Sequence, residues 1–217
     1  GGSTTRYGTG ENKTLAMLCG RPVLEYSLRV FLGSPAVDEV VLAARAGEEA
    51  TLRALAESLS PEKPVTVVTG GKDRAESVQN ALTAAKGERV LIHDGARPLV
   101  TKELLEDCLA ALTQADGAAV AVASPDTVTL MGADGYVERS TDRSRTYLIQ
   151  TPQAFYREEL LKLHRSLTER EGITDDCMLL ERAGRRVKLV PGRRENIKIT
   201  TPADRELAEF YLKKGTE

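Results

Sequence analysis

Tryptophan is absent from this 217-residue chain, and aromatic residues make up only 4% of it. The stacking platforms that bind single-stranded nucleic acid are therefore missing. An excess of one charge is missing too: 30 basic residues against 32 acidic ones leave a formal net charge of -2. That balance offers no electrostatic footprint for nucleic acid or for an anionic membrane. No apolar run is long enough to span a bilayer, and no signal peptide is visible. Cysteine is scarce: Cys19, Cys108 and Cys177 are odd in number, far apart and without C-x-x-C spacing. They read as reduced thiols of a cytoplasmic protein, each a small core residue rather than a nucleophile or a metal ligand.

What is present is an ordinary globular composition, 41% apolar and 29% charged, at a length that suits one domain over 1–217. The chain is organised around Arg89-Val90-Leu91-Ile92-His93-Asp94-Gly95-Ala96-Arg97-Pro98. Val90 to Ile92 is a short apolar run, the mark of a strand covered on both faces. Ligands of open α/β sheets bind beyond the carboxyl ends of the strands, where Asp94 stands. An acid there suits a hard cation such as Mg²⁺ bridged to phosphate oxygens. Gly95 lets backbone approach a ligand, and Arg97 offers a fork of donors to a phosphate. Without context, the same stretch serves equally as a strand end with a solvated Asp–Arg pair. His93 reads as a packing or backbone-satisfying residue, and His164 carries no sign of function.

Along the chain, strand and helix patterns alternate, which argues for a parallel sheet. The chain opens with a small-residue loop, Gly1 to Lys13, containing Gly2 and the cations Arg6 and Lys13. Backbone N–H groups of such a loop can wrap phosphate oxygens. Phosphate loops in α/β folds follow a buried strand, so an apolar strand is expected ahead of Gly1. A helix is predicted from Arg21 to Phe31, a strand over Val40–Ala44, a helix from Glu48 to Leu59 and a strand over Pro64–Val68. Gly70-Gly71 then turn the chain into a helix whose N-terminus, with Ser77 one turn in, can receive an anion or a polar ligand edge. Taken alone this is also an ordinary strand-to-helix turn. Thr101 caps a helix that Gly117 ends, and a strand follows over Ala118–Ala123.

The pattern breaks after Ser124. Residues 126–145 alternate apolar and polar around the hairpin signal Asp134-Gly135, an antiparallel arm off the parallel sheet. An isolated hairpin is marginal in water and needs a partner surface, for which a second copy of the chain is the simplest candidate. Helices follow from Tyr156 to Leu167 and from a Thr174 cap to Gly184, the Thr174-Asp175-Asp176 cluster reading as a cap with dipole-complementing acids. Strands are expected at Val187–Val190 and Ile197–Ile199. Thr201-Pro202-Ala203-Asp204 starts a last helix fastened by Leu207, Phe210 and Tyr211.

These motifs combine. The chain resembles the 2-C-methyl-D-erythritol 4-phosphate cytidylyltransferases of the non-mevalonate isoprenoid pathway over nearly its whole length. The likeness rests on Arg6 and Lys13, Gly70-Gly71 through Ser77, His93 to Pro98, Asp126-Thr127, Asp142-Arg143-Ser144, Gln150 to Gln153, Thr174 to Asp176 and Asn196-Ile197-Lys198. The resemblance implies a Rossmann-like, mostly parallel sheet with helices on both faces, its first strand beside those near Val40 and Leu91. It implies a homodimer that exchanges β-arms. The implied reaction joins CTP and methylerythritol phosphate with release of pyrophosphate. Arg6 and Lys13 would be catalytic, holding the triphosphate and its developing charge. Gly2, Gly70, Gly71, Ser77 and Gly95 would bind CTP. Asp94 would hold Mg²⁺. Thr127, Arg143, Thr151, Lys198 and Arg97 would bind the polyol phosphate, Thr127 and Arg143 in the neighbour's site.

Tyr7, Lys72 and Thr129 depart from the family's usual residues, Thr129 standing where a lysine is frequent. Ribitol-5-phosphate cytidylyltransferase is the nearest rival reading, and Asp142-Arg143-Ser144 speaks against it. Sugar-1-phosphate nucleotidylyltransferases share the glycine-rich opening but not the later motifs. A non-catalytic nucleotide-binding subunit would not need Arg6, Lys13, Asp94, Arg143 and Lys198 together.

Overall fold

The structure is a computed structural model that describes residues 12–167 and 173–215. A small antiparallel ribbon, β1 (Met17–Leu18) and β2 (Arg21–Pro22), leads into α1 (Val23–Leu32). Then come β3 (Val40–Ala44), α2 (Glu49–Ser58), β4 (Val65–Thr69), α3 (Arg74–Ala84), β5 (Arg89–Ile92), α4 (Lys102–Leu112) and β6 (Gly117–Ala123). The arm holds β7 (Thr129–Met131) and β8 (Val137–Ser140). After it follow β9 (Tyr147–Tyr156), α5 (Arg157–Ser166), α6 (Cys177–Arg182), β10 (Val187–Pro191) and α7 (Pro202–Lys214).

The larger sheet has the order β10-β6-β9-β5, and β3 pairs with β4 in parallel. Strand β10 runs parallel to β6, while β9 runs antiparallel to both β6 and β5. The single reversed strand has a local cause. A parallel return needs a helical crossover, and the chain between β6 and β9 makes an arm instead. Alternation along the strands covers both faces. Leu91, Ala118 and Val120 pack with α4, whereas Val90, Ile92 and Ala119 pack with α3, α5 and α6. Helices α1 and α2 cover Ala44 and Leu42 of β3.

The register of β6 with β9 steps from Ala119↔Gln153 to Ala121↔Ile149. One residue of β6 thus spans three of β9, Gln150 to Pro152, so β9 bulges there. Bulges re-aim side chains, and proline, with no N–H to pair, is tolerated in them. This bulge carries Thr151 toward the loop after β5. Between β3 and β5 lies a cavity of about 870 Å³, walled by Leu24 and Phe31 on one face and by Val78 and Ala81 on the other. The strand expected ahead of Gly1 lies outside the described residues.

Several local expectations need correction. Gly117 does not end α4 but begins β6, where a Cβ would come within 2.8 Å of Leu180 and 3.0 Å of Phe155. Thr174 does not cap α6: its hydroxyl meets the Met178 sulfur at 3.2 Å, and Asp175 receives the Met178 N–H at 3.1 Å. Residues 197–199 form no strand, because the Ile199 N–H donates to the Ala96 carbonyl of the loop after β5. Helix α7 starts as expected, with a capping box between Thr201 and Asp204, but it docks on another face. Ala208 is fully buried and Leu212 packs beside Leu18 and Val23, while Leu207 and Phe210 point outward. The small alanine allows the close approach that the larger side chains would block. Cys19 is exposed, at φ 46 in the turn between β1 and β2, rather than in the core.

Burial also decides thiol chemistry. Desolvation pushes the Cys108 thiol up to about 12 and raises Cys177 as well, while Cys19 faces solvent. Native protein should therefore take up an aqueous thiol reagent rapidly at one position, mapped to Cys19 by peptide mass. Cys108 and Cys177 should react only as the chain unfolds. Rapid labelling of either in the native state would contradict this packing.

Candidate active site

The polar end of the cavity is built where β5 stops. Asp94 is met by Lys198 Nζ at 2.8 Å, Arg74 Nε at 3.7 Å and Arg97 Nε at 3.8 Å. Burial alone would raise its carboxyl, but Lys198, then Arg74 and Arg97, outweigh that and hold it down to about 2. Lys13 lines the same cavity. Its ammonium is lowered by burial first and by repulsion from Lys198 next, with Asp94 offsetting part of the effect. Cations thus outnumber the acid they surround, an arrangement complementary to an anionic ligand.

The Asp94 loop is braced from behind. The Asp94 N–H donates to Thr151 Oγ1 at 3.0 Å, and the Thr151 hydroxyl lies 2.9 Å from His93 Nδ1. His93 Nε2 meets the Arg97 carbonyl at 3.0 Å. A carbonyl only accepts, so the His93 proton is on Nε2 and Nδ1 accepts from Thr151. Burial lowers His93 to about 4, against the raising effect of the Arg97 carbonyl, in keeping with that neutral tautomer. Arg97 donates to the Asn196 carbonyl at 2.8 Å, and the buried Asn196 amide donates to the Thr151 carbonyl at 2.9 Å. Lys198 therefore sits between two anchored residues, Asn196 and Ile199, which fix where its stem leaves the backbone.

The glycine turn forms the next wall. Gly70 N–H donates to the Ala44 carbonyl at 2.7 Å, tying the turn to β3. Gly71 N–H donates to Ser77 Oγ at 3.0 Å, and Ser77 donates to the Asp73 carbonyl at 2.7 Å. A Cβ on Gly71 would fall 2.1 Å from Glu76 Cγ, so only glycine fits. Gly95 is likewise pressed, 2.9 Å from Leu24 at its missing Cβ. Lys13 is presented by a turn in which Asn12 Oδ1 accepts from both the backbone and the hydroxyl of Thr14.

Of the residues singled out from sequence, the structure brings Lys13, Ser77, Asp94, Gly95 and Lys198 to one cavity, with Gly70 and Gly71 adjoining it through Lys72 and Asp73. Thr151 and Arg97 stand behind the Asp94 loop with polar atoms engaged inside the fold. Thr127 and Arg143 are exposed on the arm and do not line this chain's cavity. Gly2 and Arg6 lie outside the described residues. Sequence reasoning missed Arg74, although its place directly after the glycine turn was a signal. It also missed the partners of Asp176, which is 1% exposed and receives Arg74 at 2.7 Å and His164 at 2.9 Å.

Comparisons with known proteins identify the family. A family model described as 2-C-methyl-D-erythritol 4-phosphate cytidylyltransferase matches residues 1–214. A relative of that name from Clostridium acetobutylicum is 38% identical, covering 99% of this chain and 95% of its own. Another from Synechococcus elongatus is 40% identical over 98% and 93%. Among solved structures, 4-diphosphocytidyl-2C-methyl-D-erythritol synthase from Anaerococcus prevotii superposes with a TM-score of 0.86 at 33% identity, covering 92% of this chain and 93% of that one. The 2-C-methyl-D-erythritol 4-phosphate cytidylyltransferase of Thermus thermophilus gives 0.75 at 31% identity, covering 93% and 94%.

The His93 brace makes stability depend on pH. A histidine whose folded pKa is depressed is tolerated uncharged, so its contribution is intact above its ordinary value of 6.5 and lost as pH falls toward about 4. Denaturant unfolding at pH 7 and pH 4.5 should show that loss, and His93→Gln should shrink it. An equal acid loss in both proteins would remove His93 as its source.

Proposed function

The chain belongs to the 2-C-methyl-D-erythritol 4-phosphate cytidylyltransferase family, and we propose that CTP and 2-C-methyl-D-erythritol 4-phosphate are joined at the polar end of its cavity, where β5 stops. A phosphate oxygen of the polyol phosphate attacks the α-phosphorus of CTP. The bond from that phosphorus to the bridging oxygen breaks, and pyrophosphate leaves with the electron pair. Such a transfer needs positioning and charge stabilisation rather than a covalent protein nucleophile. The observation that carries the reading is the ionised Asp94 among Lys13, Arg74, Arg97 and Lys198, beside the glycine turn.

In this reading Lys13, with Arg6, holds the triphosphate and the charge that grows on its α-phosphoryl oxygens. Gly70, Gly71 and Ser77 set the wall that receives cytosine and ribose, and Gly2 and Gly95 give backbone access to the nucleotide. Lys198, 38% exposed at its side chain, can leave Asp94 for the phosphate of the polyol. Arg97 and Thr151 hold the loop from which Asp94 projects.

Among the described residues, no group of three or more His, Cys, Asp or Glu side chains stands ready to hold a metal. The donor on offer is one carboxylate, Asp94. That fits a Mg²⁺ that arrives on the triphosphate and takes a single protein oxygen, the usual mode for this ion. When bound, it would neutralise phosphate charge toward the incoming anion.

Thr127 and Arg143, exposed on the arm, are read as serving the site of a second copy of the chain. Leu130, Met131, Tyr136 and Val137 are exposed on it, 39% to 76%, an apolar surface that a two-fold dimer can cover reciprocally. Three free thiols suit a reducing compartment such as the cytoplasm, and no described helix is long and apolar enough to cross a membrane.

Turnover of CTP should be detected with 2-C-methyl-D-erythritol 4-phosphate and not with D-ribitol 5-phosphate. Activity with ribitol phosphate alone would replace this reading by its sister reaction. Lys13→Ala should lower kcat by about a hundredfold or more while the fold persists, the size expected when a charge-stabilising donor is lost.

Assembly is tested separately. Homodimers of Lys13→Ala and of Arg143→Ala should both be inactive. Their mixed dimer should regain one working site, which receives an intact Lys13 from one chain and an intact arm from the other. A mixed dimer no more active than its parents, or a monomer in solution, would rule out arm exchange.

A further inference from the structure

The polar network does not end at Asp94. Arg74, the first residue of α3, stands between two acids: its Nε is 3.7 Å from Asp94 Oδ1, and its Nη1 donates to Asp176 Oδ2 at 2.7 Å. Asp176 is 1% exposed and precedes α6. Its other oxygen, Oδ1, is met at 2.9 Å by Nε2 of His164 on α5, itself 1% exposed. Among the described residues, His164 Nδ1 has no hydrogen-bond partner. An imidazole buried among Leu160, Leu161 and the rest of that core, with one nitrogen orphaned, is a poor choice for packing alone. A leucine or methionine would fill the space without the unpaired atom.

We propose that His164 and Asp176 are positioning residues for nucleotide binding, acting through Arg74. A carboxylate accepts, so His164 Nε2–H donates to Asp176 Oδ1. With both oxygens occupied, the plane of the buried carboxylate is fixed. Arg74 is then held by one end at Asp176 and presents the other to Asp94 and the cavity. Without the His164 donor, Oδ1 becomes an unsatisfied buried acceptor, and the fork of Arg74, already bonded to Oδ2, can turn inward to serve it. That turn withdraws a cation from the cavity wall between the glycine turn and Asp94. Asp175 turns one carboxylate oxygen to the Met178 N–H. The desolvation of Arg74 is outweighed by Asp176 and then Asp94, which together raise its pKa and keep it charged.

The inference rests on the reading that CTP occupies this wall, and its test separates the two. CTP binding is measured by calorimetry and turnover by steady-state kinetics, in wild type, His164→Met and His164→Gln. The Gln amide can donate from nearly the position of Nε2, and Met cannot. His164→Met should raise both Kd and KM for CTP about tenfold, the scale of one charge-assisted hydrogen bond misplaced. KM for the polyol phosphate should stay within twofold, and His164→Gln should recover most of the CTP affinity. In an Arg74→Lys background, His164→Met should add little, since both changes act through the same side chain. Should His164→Met fail to fold, Asp176→Asn is held to the same CTP criterion. A folded His164→Met or Asp176→Asn that binds CTP as wild type does, or equal losses in the Met and Gln variants, overturns the proposal. Wild-type protein that binds CTP but turns over neither polyol phosphate would overturn the reaction assigned above and leave this relay standing.

Discussion

A single carboxylate in the company of several cations is the constraint from which the rest of this structure follows. Asp94 must be ionised to hold Lys198, Arg74 and Arg97 together, and without it three positive groups would face one another in a partly buried space. Such a cluster is costly unless its members are fixed. The fold fixes each from a different element. Arg74 comes from the start of α3 and Arg97 from the loop after β5, while Lys198 comes from the segment before α7. The bulge in β9 exists, in this sense, for the cluster: it turns Thr151 out of register so that its hydroxyl can accept the Asp94 N–H.

What the sequence made legible was whatever is local. The run of Val90 to Ile92 ending in Asp94, the turn at Gly70-Gly71 and the cap at Thr201 depend on neighbours within a few residues. Their places in the structure agree with their reading. The parts that could not be read are pairings across long separations. Arg74 and Asp176 are 102 residues apart, and Asp94 and Thr151 are 57 apart. No periodicity encodes either. Helix α7 shows the intermediate case: its start was legible, but which face docks was not. A helix with apolar residues at 207, 208, 210, 211 and 212 offers two overlapping stripes, and the choice falls to the surface it meets. Here the tight approach to Leu18 and Val23 selects Ala208.

The reversed strand β9 joins the fold to assembly. A chain that made an ordinary parallel crossover after β6 would have no arm. By leaving as a hairpin and returning antiparallel, it places Thr127 and Arg143 outside its own core and exposes Tyr136 and Val137 by 76% and 69%. The same excursion delivers Gln150 to Gln153 into the sheet behind Asp94. One topological choice thus supplies both the brace of this chain's site and, on the proposed reading, the side chains that complete its partner's.

The charges of this wall act on one another. Lys13 is held below its ordinary value by burial and by Lys198, and Lys198 rests on Asp94. On the proposed reading, a triphosphate between them would oppose the repulsion between the two lysines. Its negative charge would raise Lys13 back toward its ordinary value. It would also compete with Asp94 for Lys198, which lies 2.8 Å from that carboxylate. Binding of the nucleotide would in this way prepare both the seat for the second phosphate and the ligand for the metal. The same charges that hold the cluster together are thus complementary to an anionic ligand.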